Sequence, residues 1–293
     1  MVEGIIVKAI SGFYYVKTEN DIFECKARGV FRKKATTPLV GDRVDIEILD
    51  EEKRVGNVIT VKSRENYLIR PPIANITKVL VVMSVRLPDP ILVFLDKQLA
   101  FLEREGIETV ICVNKVDLDD IDFAENVKKI YENIGYKVIL AEAKNDVGIE
   151  EIREELKNEI VVLLGNSGVG KSSITNKIMN KTIMEEGSIS KIERGKQTTR
   201  HTELLEFDND SYIADSPGFS SFDISNIESD ELDRYFREFK RHIENCKYRD
   251  CNHINEDDCG VKIAVENGLI DDGRYKRYCE IYKELHEKEG RRY

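Results

Sequence analysis

The stretch GNSGVGKS, residues 165–172, places the strongest limit on what this chain can fold into. It matches the pattern G-x-x-x-x-G-K-[ST], in which glycines let successive backbone N–H groups point at phosphate oxygens. The apolar run EIVVLLG (159–165) predicts a buried strand before it, and ITNKIM (174–179) predicts a helix after it. A strand, a glycine-rich loop and a helix in this order favour a phosphate-binding α/β domain over a chance match.

The residues of this loop have distinct predicted roles. Lys171 would reach the outer phosphates and act in catalysis, and the Ser172 hydroxyl would help to hold Mg²⁺. The predicted nucleotide-binding residues of the loop are Gly165, Asn166, Ser167, Gly168, Val169, Gly170, Lys171, Ser172 and Ser173.

A second motif, Asn114-Lys115-Val116-Asp117, predicts which base is bound. A carboxylate at Asp117 can accept from both the N1–H and the exocyclic amine of guanine, and adenine offers neither donor. An unmet buried acceptor penalises the wrong base by about 1–3 kcal/mol, which disfavours an enzyme that uses ATP. Asn114 suits the opposite edge of the base, and the stem of Lys115 can cover its face.

Two later stretches supply candidates for the metal and the γ-phosphate. Asp215 ends an apolar run and suits the acidic residue behind the Mg²⁺ shell, while the Gly218 N–H suits the γ-phosphate. The polar segment KQTTRHT (196–202) supplies Thr198 and Thr199, one of which would close on Mg²⁺. For each threonine singly, a threonine-rich surface loop is the alternative.

The order of these motifs along the chain is unusual. AEAK (141–144) resembles the SAK element whose backbone N–H contacts guanine O6, so Ala143 is a further predicted contact. The chain presents first the base-reading motif NKVD, then AEAK, the phosphate loop, the paired threonines and finally DSPG (215–218). This is the usual GTPase order, cut once and rejoined. A site needs strand ends to converge in space rather than a fixed chain order. With strands and helices alternating over residues 67–225, we expect a circularly permuted α/β GTPase domain.

Residues 1–66 predict a small β-barrel. VDIEI (44–48) alternates apolar and acidic residues, and GIIVKAI, GFYYVK, DIFECKA and GNVITVK are similar. Five short strands suggest an OB-fold. The stretch KARGVFRKK (26–34) has no acidic residue and five basic ones: Lys26, Arg28, Arg32, Lys33 and Lys34. In a chain of net charge −10, charge alone favours a solvated loop there.

Residues 226–293 predict a helical domain. We expect a helix that opens at Ser229, because apolar residues recur after it at a spacing of three to four. These residues are Leu232, Tyr235, Phe236, Phe239 and Ile243. A second predicted helix carries Tyr275, Tyr278, Tyr282 and Leu285.

A cysteine cluster lies between these two predicted helices. The stretch CKYRDCNHINEDDC supplies Cys246, Cys251, His253 and Cys259. Three thiolates and one imidazole have the number and softness for one closed, structural Zn²⁺ site. The spacing C-x4-C-x-H-x5-C differs from the common finger spacings, and three buried thiols beside a surface histidine are the alternative.

Taken together, these motifs resemble the RsgA family, also called YjeQ or YloQ, of ribosome small-subunit-dependent, circularly permuted GTPases. The resemblance covers essentially the whole chain and adds GDRV (41–44), TTRH (198–201) and DSPGF (215–219) to the motifs above. It implies an OB-fold, a permuted GTPase domain and a C-terminal zinc domain. It also implies late maturation of the small ribosomal subunit, with GTP hydrolysis stimulated by that particle. The basic stretch 26–34 then becomes a candidate rRNA-facing loop.

Two positions bear on the predicted turnover. Many family members carry histidine before the paired threonines, and here the residue is Gln197, so we transfer no catalytic role to the nearby His201. Phe219 follows DxPG, where switch GTPases often place a glutamine that orients water. A phenyl ring cannot orient water, so we expect slow intrinsic hydrolysis. A zinc- and RNA-binding scaffold that binds GTP without turnover is the alternative.

Composition sets the remaining expectations. The chain is 41% apolar and 34% charged, which is typical of globular proteins. It has no apolar run of about 20 residues, and its first residues lack a basic region followed by an apolar block. We therefore expect a cytoplasmic protein that binds no membrane. The resemblance implies the small ribosomal subunit and its rRNA as partners beside GTP and GDP, and we expect a monomer.

Overall fold

The structure is a computed structural model that describes six ranges of the chain: residues 1–27, 37–69, 72–118, 121–186, 202–215 and 227–290. These residues form two compact units. The first contains the described parts of 1–79, 149–164 and 172–219, and the second those of 80–148, 165–171 and 220–293. Within the described ranges, no helix combines the length and the apolar character that a membrane span requires.

The described residues contain thirteen strands and six α-helices. The strands are β1 (Val2–Ile10), β2 (Phe13–Lys17), β3 (Ile22–Ala27), β4 (Arg43–Asp50), β5 (Val55–Val61), β6 (Tyr67–Ile69), β7 (Pro72–Ala74), β8 (Lys78–Ser84), β9 (Glu108–Asn114), β10 (Lys137–Ala141), β11 (Ile160–Leu164), β12 (Glu203–Asp208) and β13 (Ser211–Asp215). The helices are α1 (Leu92–Glu105), α2 (Ile121–Ile134), α3 (Ile149–Glu155), α4 (Lys171–Glu186), α5 (Gly260–Glu266) and α6 (Asp272–Gly290).

In the first unit, strands β1 to β5 form a closed barrel. β1 pairs with β2, β2 with β3 and β4 with β5, all antiparallel, while β3 runs parallel to β5. An antiparallel pairing of β1 with β4 closes the ring. Val44 and Ile46 of β4 are fully buried. Glu47, the next residue along the same strand, is exposed, as the alternating pattern predicts. The predicted OB-like barrel is confirmed.

The segment that enters β4 is fixed by a buried carboxylate of the GDRV stretch. Asp42 is fully buried and accepts from the Arg64 guanidinium through Nε at 2.7 Å and Nη2 at 2.8 Å. The same carboxylate accepts from the Leu39 backbone N–H at 2.7 Å. Because a bidentate guanidinium pair fixes both partners, it ties the entrance of β4 to the residues that follow β5.

The rest of the first unit extends from the barrel. β12 and β13 form an antiparallel hairpin, β13 runs parallel to β11, and β12 pairs with β1 at Lys8 and Glu203. The Lys8 ammonium lies 2.8 Å from the Glu203 carboxylate, and Lys17 pairs with Glu206. The sequence did not predict β12, because the apolar residues of ELLEFD (203–208) do not alternate with the acidic ones.

The second unit contains the strand order β10-β9-β8 together with α1 and α2. β9 and β10 are parallel and pair from Val110 with Lys137 to Asn114 with Ala141. Helix α1 ends at Gly106, whose φ of +67° is the left-handed conformation that glycine adopts without strain. The parallel strands and the helices between them that the alternating pattern over residues 67–225 predicts are confirmed here.

The residues after Ile227 correct one prediction. In place of a single helix opening at Ser229, the chain forms three short 3₁₀ segments, Ser229–Tyr235, Arg237–Phe239 and Ile243–Asn245. The helix breaks because Phe236 is extended, with φ −103° and ψ +99°. Of the predicted apolar residues, Leu232, Phe236 and Phe239 are nevertheless buried, and Tyr235 and Ile243 are half-buried. The Phe236 and Phe239 rings lie 5.0 Å and 4.7 Å from the Tyr278 ring of α6.

A buried ionic network joins α6 to α1 and α2. The fully buried Asp96 of α1 accepts from the Tyr131 hydroxyl at 2.5 Å, from Arg274 Nη1, and from Arg277 Nε at 2.5 Å. Arg274 also donates through Nε to Glu238 at 2.5 Å. Burial alone would lower the pKa of Arg274, but the charges of Asp96 and Glu238 outweigh it and raise that pKa well above its ordinary value.

Candidate functional site

The phosphate-loop motif lies between β11 and α4 in a conformation that requires its glycines. Gly165 has φ +136° and Gly170 has φ +106°. A Cβ at Gly165 would lie 2.0 Å from the Val82 carbonyl oxygen, and one at Gly170 would lie 2.2 Å from Asn114 Nδ2. Both distances are below any allowed contact, so the glycines permit the loop to pack against β8 and β9.

Lys171 closes over its own loop. Its ammonium donates to the carbonyl oxygens of Gly165 at 2.7 Å and Asn166 at 2.8 Å. Partial burial lowers the pKa of Lys171. A phosphate oxygen carries more negative charge than a carbonyl oxygen, so it would attract this ammonium more strongly. The Ser172 and Ser173 side chains are exposed in the first turn of α4.

The Asn114 side chain connects three of the predicted motifs. At the end of β9 it is buried, with Nδ2 donating to the Val169 carbonyl oxygen at 2.8 Å. Its Oδ1 accepts from the Ala143 backbone N–H at 3.2 Å. One amide therefore braces the phosphate loop against the AEAK stretch. The sequence suggested contact with the base edge for Asn114 and did not predict this bracing role.

The other residues of the base-reading motif leave its carboxylate accessible. Lys115 has φ +64° and donates through Nζ to the Leu87 carbonyl oxygen, while the Val116 N–H donates to the Ala141 carbonyl oxygen at 3.3 Å. The Asp117 side chain is exposed. The motif is thus anchored through its backbone and its lysine, and Asp117 can meet a ligand from solvent.

Several predicted site residues lie outside this cluster of contacts. Asp215 ends β13, where it pairs with Glu203. Thr198, Thr199 and Gly218 lie outside the described residues. The same holds for Gln197 and Phe219, the two positions that bear on turnover.

The four predicted zinc ligands come together in the second unit. One donor atom from each of Cys246, Cys251, His253 and Cys259 lies within 4.8 Å of every other. His253 Nδ1 is 3.3 Å from Cys259 Sγ and 3.5 Å from Cys246 Sγ, and the two sulfurs are 3.9 Å apart. Ligand bonds of about 2.0–2.3 Å in a tetrahedron place donor atoms about 3.3–3.8 Å apart. The cluster fits one tetrahedral zinc ion.

Burial disfavours thiolates in this cluster unless a cation is present. It raises the pKa of the Cys251 thiol to about 12. A bound dication reverses this preference, because a coordinating thiol is deprotonated. The Lys262 backbone N–H points at Cys259 Sγ from 3.5 Å and would support a thiolate there.

Of the five basic residues singled out in stretch 26–34, the structure describes only Lys26, near the end of β3. Its side chain is exposed, and its ammonium lies 5.0 Å from the centre of the Phe13 ring. Arg28, Arg32, Lys33 and Lys34 lie outside the described residues.

Comparison with known proteins agrees with this architecture. The RsgA GTPase family model matches residues 61–225, and the RsgA N-terminal domain model matches residues 3–56. A protein of Ruminiclostridium cellulolyticum named small ribosomal subunit biogenesis GTPase RsgA is 49% identical, covering 96% of this chain and 93% of its own. The protein of that name from Alkaliphilus metalliredigens is 41% identical, covering 100% of both chains.

Two solved structures share the fold over nearly the full length. YjeQ from Thermotoga maritima superposes with a TM-score of 0.84 at 37% identity, covering 97% of this chain and 98% of its own. YloQ, described as a circularly permuted GTPase, gives a TM-score of 0.84 at 35% identity, covering 98% and 96%. The description of YloQ agrees with the permuted motif order, and the match of the N-terminal domain model agrees with a separate N-terminal domain. The chain belongs to the RsgA family of circularly permuted GTPases.

Proposed function

We propose that this chain hydrolyses GTP to GDP and phosphate in the biogenesis of the small ribosomal subunit, slowly alone and faster on that particle. The observation that carries the GTP assignment is the Asn114 amide, which bonds both the phosphate loop and the Ala143 N–H. Three motifs that lie apart in the chain thereby meet as a guanine nucleotide requires. The ribosomal role is supported by the names of the full-length relatives.

We propose three domains, each with its own role. Residues 1–66 form the OB-fold domain that contacts rRNA, 67–225 the permuted GTPase domain, and 226–293 the zinc-binding domain. The closed barrel of β1 to β5 supports the first, and the matched RsgA GTPase model supports the second. The cysteine–histidine cluster supports the third.

In the proposed reaction, water attacks the γ-phosphorus and the bond to the bridging oxygen of GDP breaks. The Lys171 ammonium neutralises charge that develops on the phosphate oxygens. Ser172 and Asp215 would hold Mg²⁺, and that ion would supply further charge neutralisation. Thr198 or Thr199 would close on Mg²⁺, and the Gly218 N–H would donate to the γ-phosphate.

The proposed zinc ion is structural. Four protein donors fill a tetrahedron and leave no position for a reacting water. Removing the ion with a chelator should increase proteolysis of residues 226–293, because binding energy at such sites is also folding energy. Metal analysis should find about one zinc per natively purified chain, and its absence would contradict the assignment.

The basic stretch 26–34 is the proposed rRNA contact. Replacing Arg32, Lys33 and Lys34 with glutamate should weaken small-subunit binding and flatten its dependence on salt. A variant that makes fewer phosphate contacts releases fewer counterions when it binds. Intrinsic turnover should stay nearly unchanged. If the triple variant binds small subunits normally across a salt series, the stretch is only a solvated surface loop.

We propose a cytoplasmic monomer for the free protein.

The base assignment is tested by Asp117→Asn, which replaces the acceptor with an amide that suits xanthine. We expect GTP affinity to fall by at least tenfold and XTP affinity to rise, measured by calorimetric titration. Asp122→Asn is a matched control, because it removes the same charge from an exposed position in the first turn of α2. Unchanged GTP affinity in Asp117→Asn would overturn the role of Asp117.

A further inference from the structure

The two nitrogens of the His253 ring face different partners. Nδ1 faces the sulfurs of Cys246 and Cys259, at 3.5 Å and 3.3 Å. On the opposite side of the ring, Nε2 lies 3.3 Å from Oδ2 of Asp233. His253 is fully buried, and the Asp233 side chain is 16% exposed. The ring therefore sits between the metal cluster and a carboxylate.

Packing prevents the ring from turning away from this arrangement. The Phe239 ring meets it edge-on with centroids 5.7 Å apart, and the Tyr278 ring lies at 6.4 Å. The backbone is held as well, since the Tyr275 hydroxyl donates to the His253 carbonyl oxygen at 2.7 Å. With the ring fixed, a proton on Nε2 can be donated to Asp233, which leaves the Nδ1 lone pair facing the cluster.

The second oxygen of Asp233 adds an independent observation. Oδ1 is buried and has no hydrogen-bond partner within the part of the chain that the structure describes. An unmet buried acceptor is unfavourable, and nearby positive charge offsets part of that cost. A divalent cation bound by the cysteine sulfurs and His253 would supply that charge to Asp233 through the imidazole.

We propose that Asp233 is the positioning carboxylate of the metal site: it fixes the tautomer in which Nδ1 of His253 binds the cation, and it tightens that binding. The proposal rests on the proposed zinc site. Asp233 belongs to the 3₁₀ segment Ser229–Tyr235, which follows the DSPG stretch (215–218) along the chain. Metal binding is thereby coupled to the ordering of residues 229–235, which follow the predicted γ-phosphate contact at Gly218 along the chain.

The proposal is tested on the full-length chain with Asp233→Asn, Asp233→Ala and the control Asp230→Asn. Asp230 lies in the same 3₁₀ segment and its side chain is exposed. Zinc affinity is measured by competition with a chromophoric chelator. We expect both Asp233 variants to bind zinc 10–100-fold more weakly, alanine more so than asparagine, and Asp230→Asn to bind as the parent does.

A second readout separates positioning from a general loss of stability. In ¹⁵N spectra of the zinc-loaded parent, His253 should show a metal-bound Nδ1 and a protonated, slowly exchanging Nε2. In Asp233→Asn, the Nε2 proton should exchange faster while the Cys₃His ligand set, monitored with Co²⁺ absorption, is retained. Hydrogen exchange in residues 229–235 should quicken on zinc removal in the parent more than in either Asp233 variant.

The outcomes distinguish this proposal from the site on which it rests. A parent chain that binds no zinc overturns the proposed metal site itself. A parent that binds zinc with the same affinity and the same Nε2 exchange as Asp233→Asn overturns only the role of Asp233. If Asp233→Ala does not fold, Asp233→Asn decides, because its amide is nearly isosteric with the carboxylate.

Discussion

Replacing Asp96 with alanine should weaken the second unit more than any exposed charge removal. The Asp96 carboxylate is fully buried and is the shared acceptor for Tyr131, Arg274 and Arg277. Alanine removes that acceptor and leaves two guanidinium groups facing a space without charge. Arg274 is 1% exposed and cannot reach water without moving α6.

The expected magnitude follows from what each guanidinium retains. Removing one partner of a buried ion pair costs about 3–5 kcal/mol. Arg274 keeps the Glu238 carboxylate at 2.5 Å, and Arg277 is 15% exposed, so both retain some stabilisation. We therefore expect a loss of about 3 kcal/mol, at the lower end of that range, or about a hundredfold in the folding equilibrium.

Urea unfolding followed by far-UV circular dichroism measures this loss, since the chain has no tryptophan to report it. Glu154→Ala is the control, because its partner Lys157 and Glu154 itself are both exposed on the surface. The Glu154 variant should keep the parent's midpoint. Asp96→Ala should unfold at lower urea, with faster hydrogen exchange in α6. Equal midpoints for the two variants would refute the structural role given to the network.

Two further predictions concern the phosphate loop and the barrel. Gly170→Ala should lower GTP affinity more than tenfold in calorimetric titration, because its Cβ would lie 2.2 Å from Asn114 Nδ2. Gly268→Ala, between α5 and α6, is the control for Gly170→Ala. The φ of Gly268 is also positive, at +70°, but a Cβ there would meet no atom within 4 Å, so GTP should bind unchanged while stability falls by about 1 kcal/mol. Asp42→Ala should cost about 2–4 kcal/mol in urea unfolding, because the Arg64 side chain that loses its partner is 20% exposed and stays partly hydrated. An unchanged urea midpoint would contradict the structural role of the Asp42–Arg64 ion pair.

The features that sequence reasoning predicted are those with a local periodic or spacing signal. Val44 and Ile46 alternate with acids, so their strand and its buried face could be inferred without knowing the partner strands. The four Cys and His ligands lie within fourteen residues, and a chain can fold so short a segment around one point. The motif order predicted the permutation because each motif's chemistry is independent of its chain position.

The features that sequence reasoning missed depend on contacts between distant residues. Asp96 lies in the polar part of an amphipathic pattern, and nothing near it announces Arg274 as its partner. The spacing of Leu232, Phe236 and Phe239 is helical, but packing of both rings against Tyr278 is achieved by 3₁₀ turns interrupted at Phe236. Tertiary packing overrode local propensity there.

GTP turnover by the purified chain, measured alone, with small ribosomal subunits and with large subunits, tests the central claim most directly. The account predicts slow turnover alone and with large subunits, because Phe219 supplies no group that orients water, and clear acceleration by small subunits. Turnover that small subunits fail to raise, in a chain that still binds GTP, would contradict the account and favour a scaffold that binds the nucleotide without hydrolysing it.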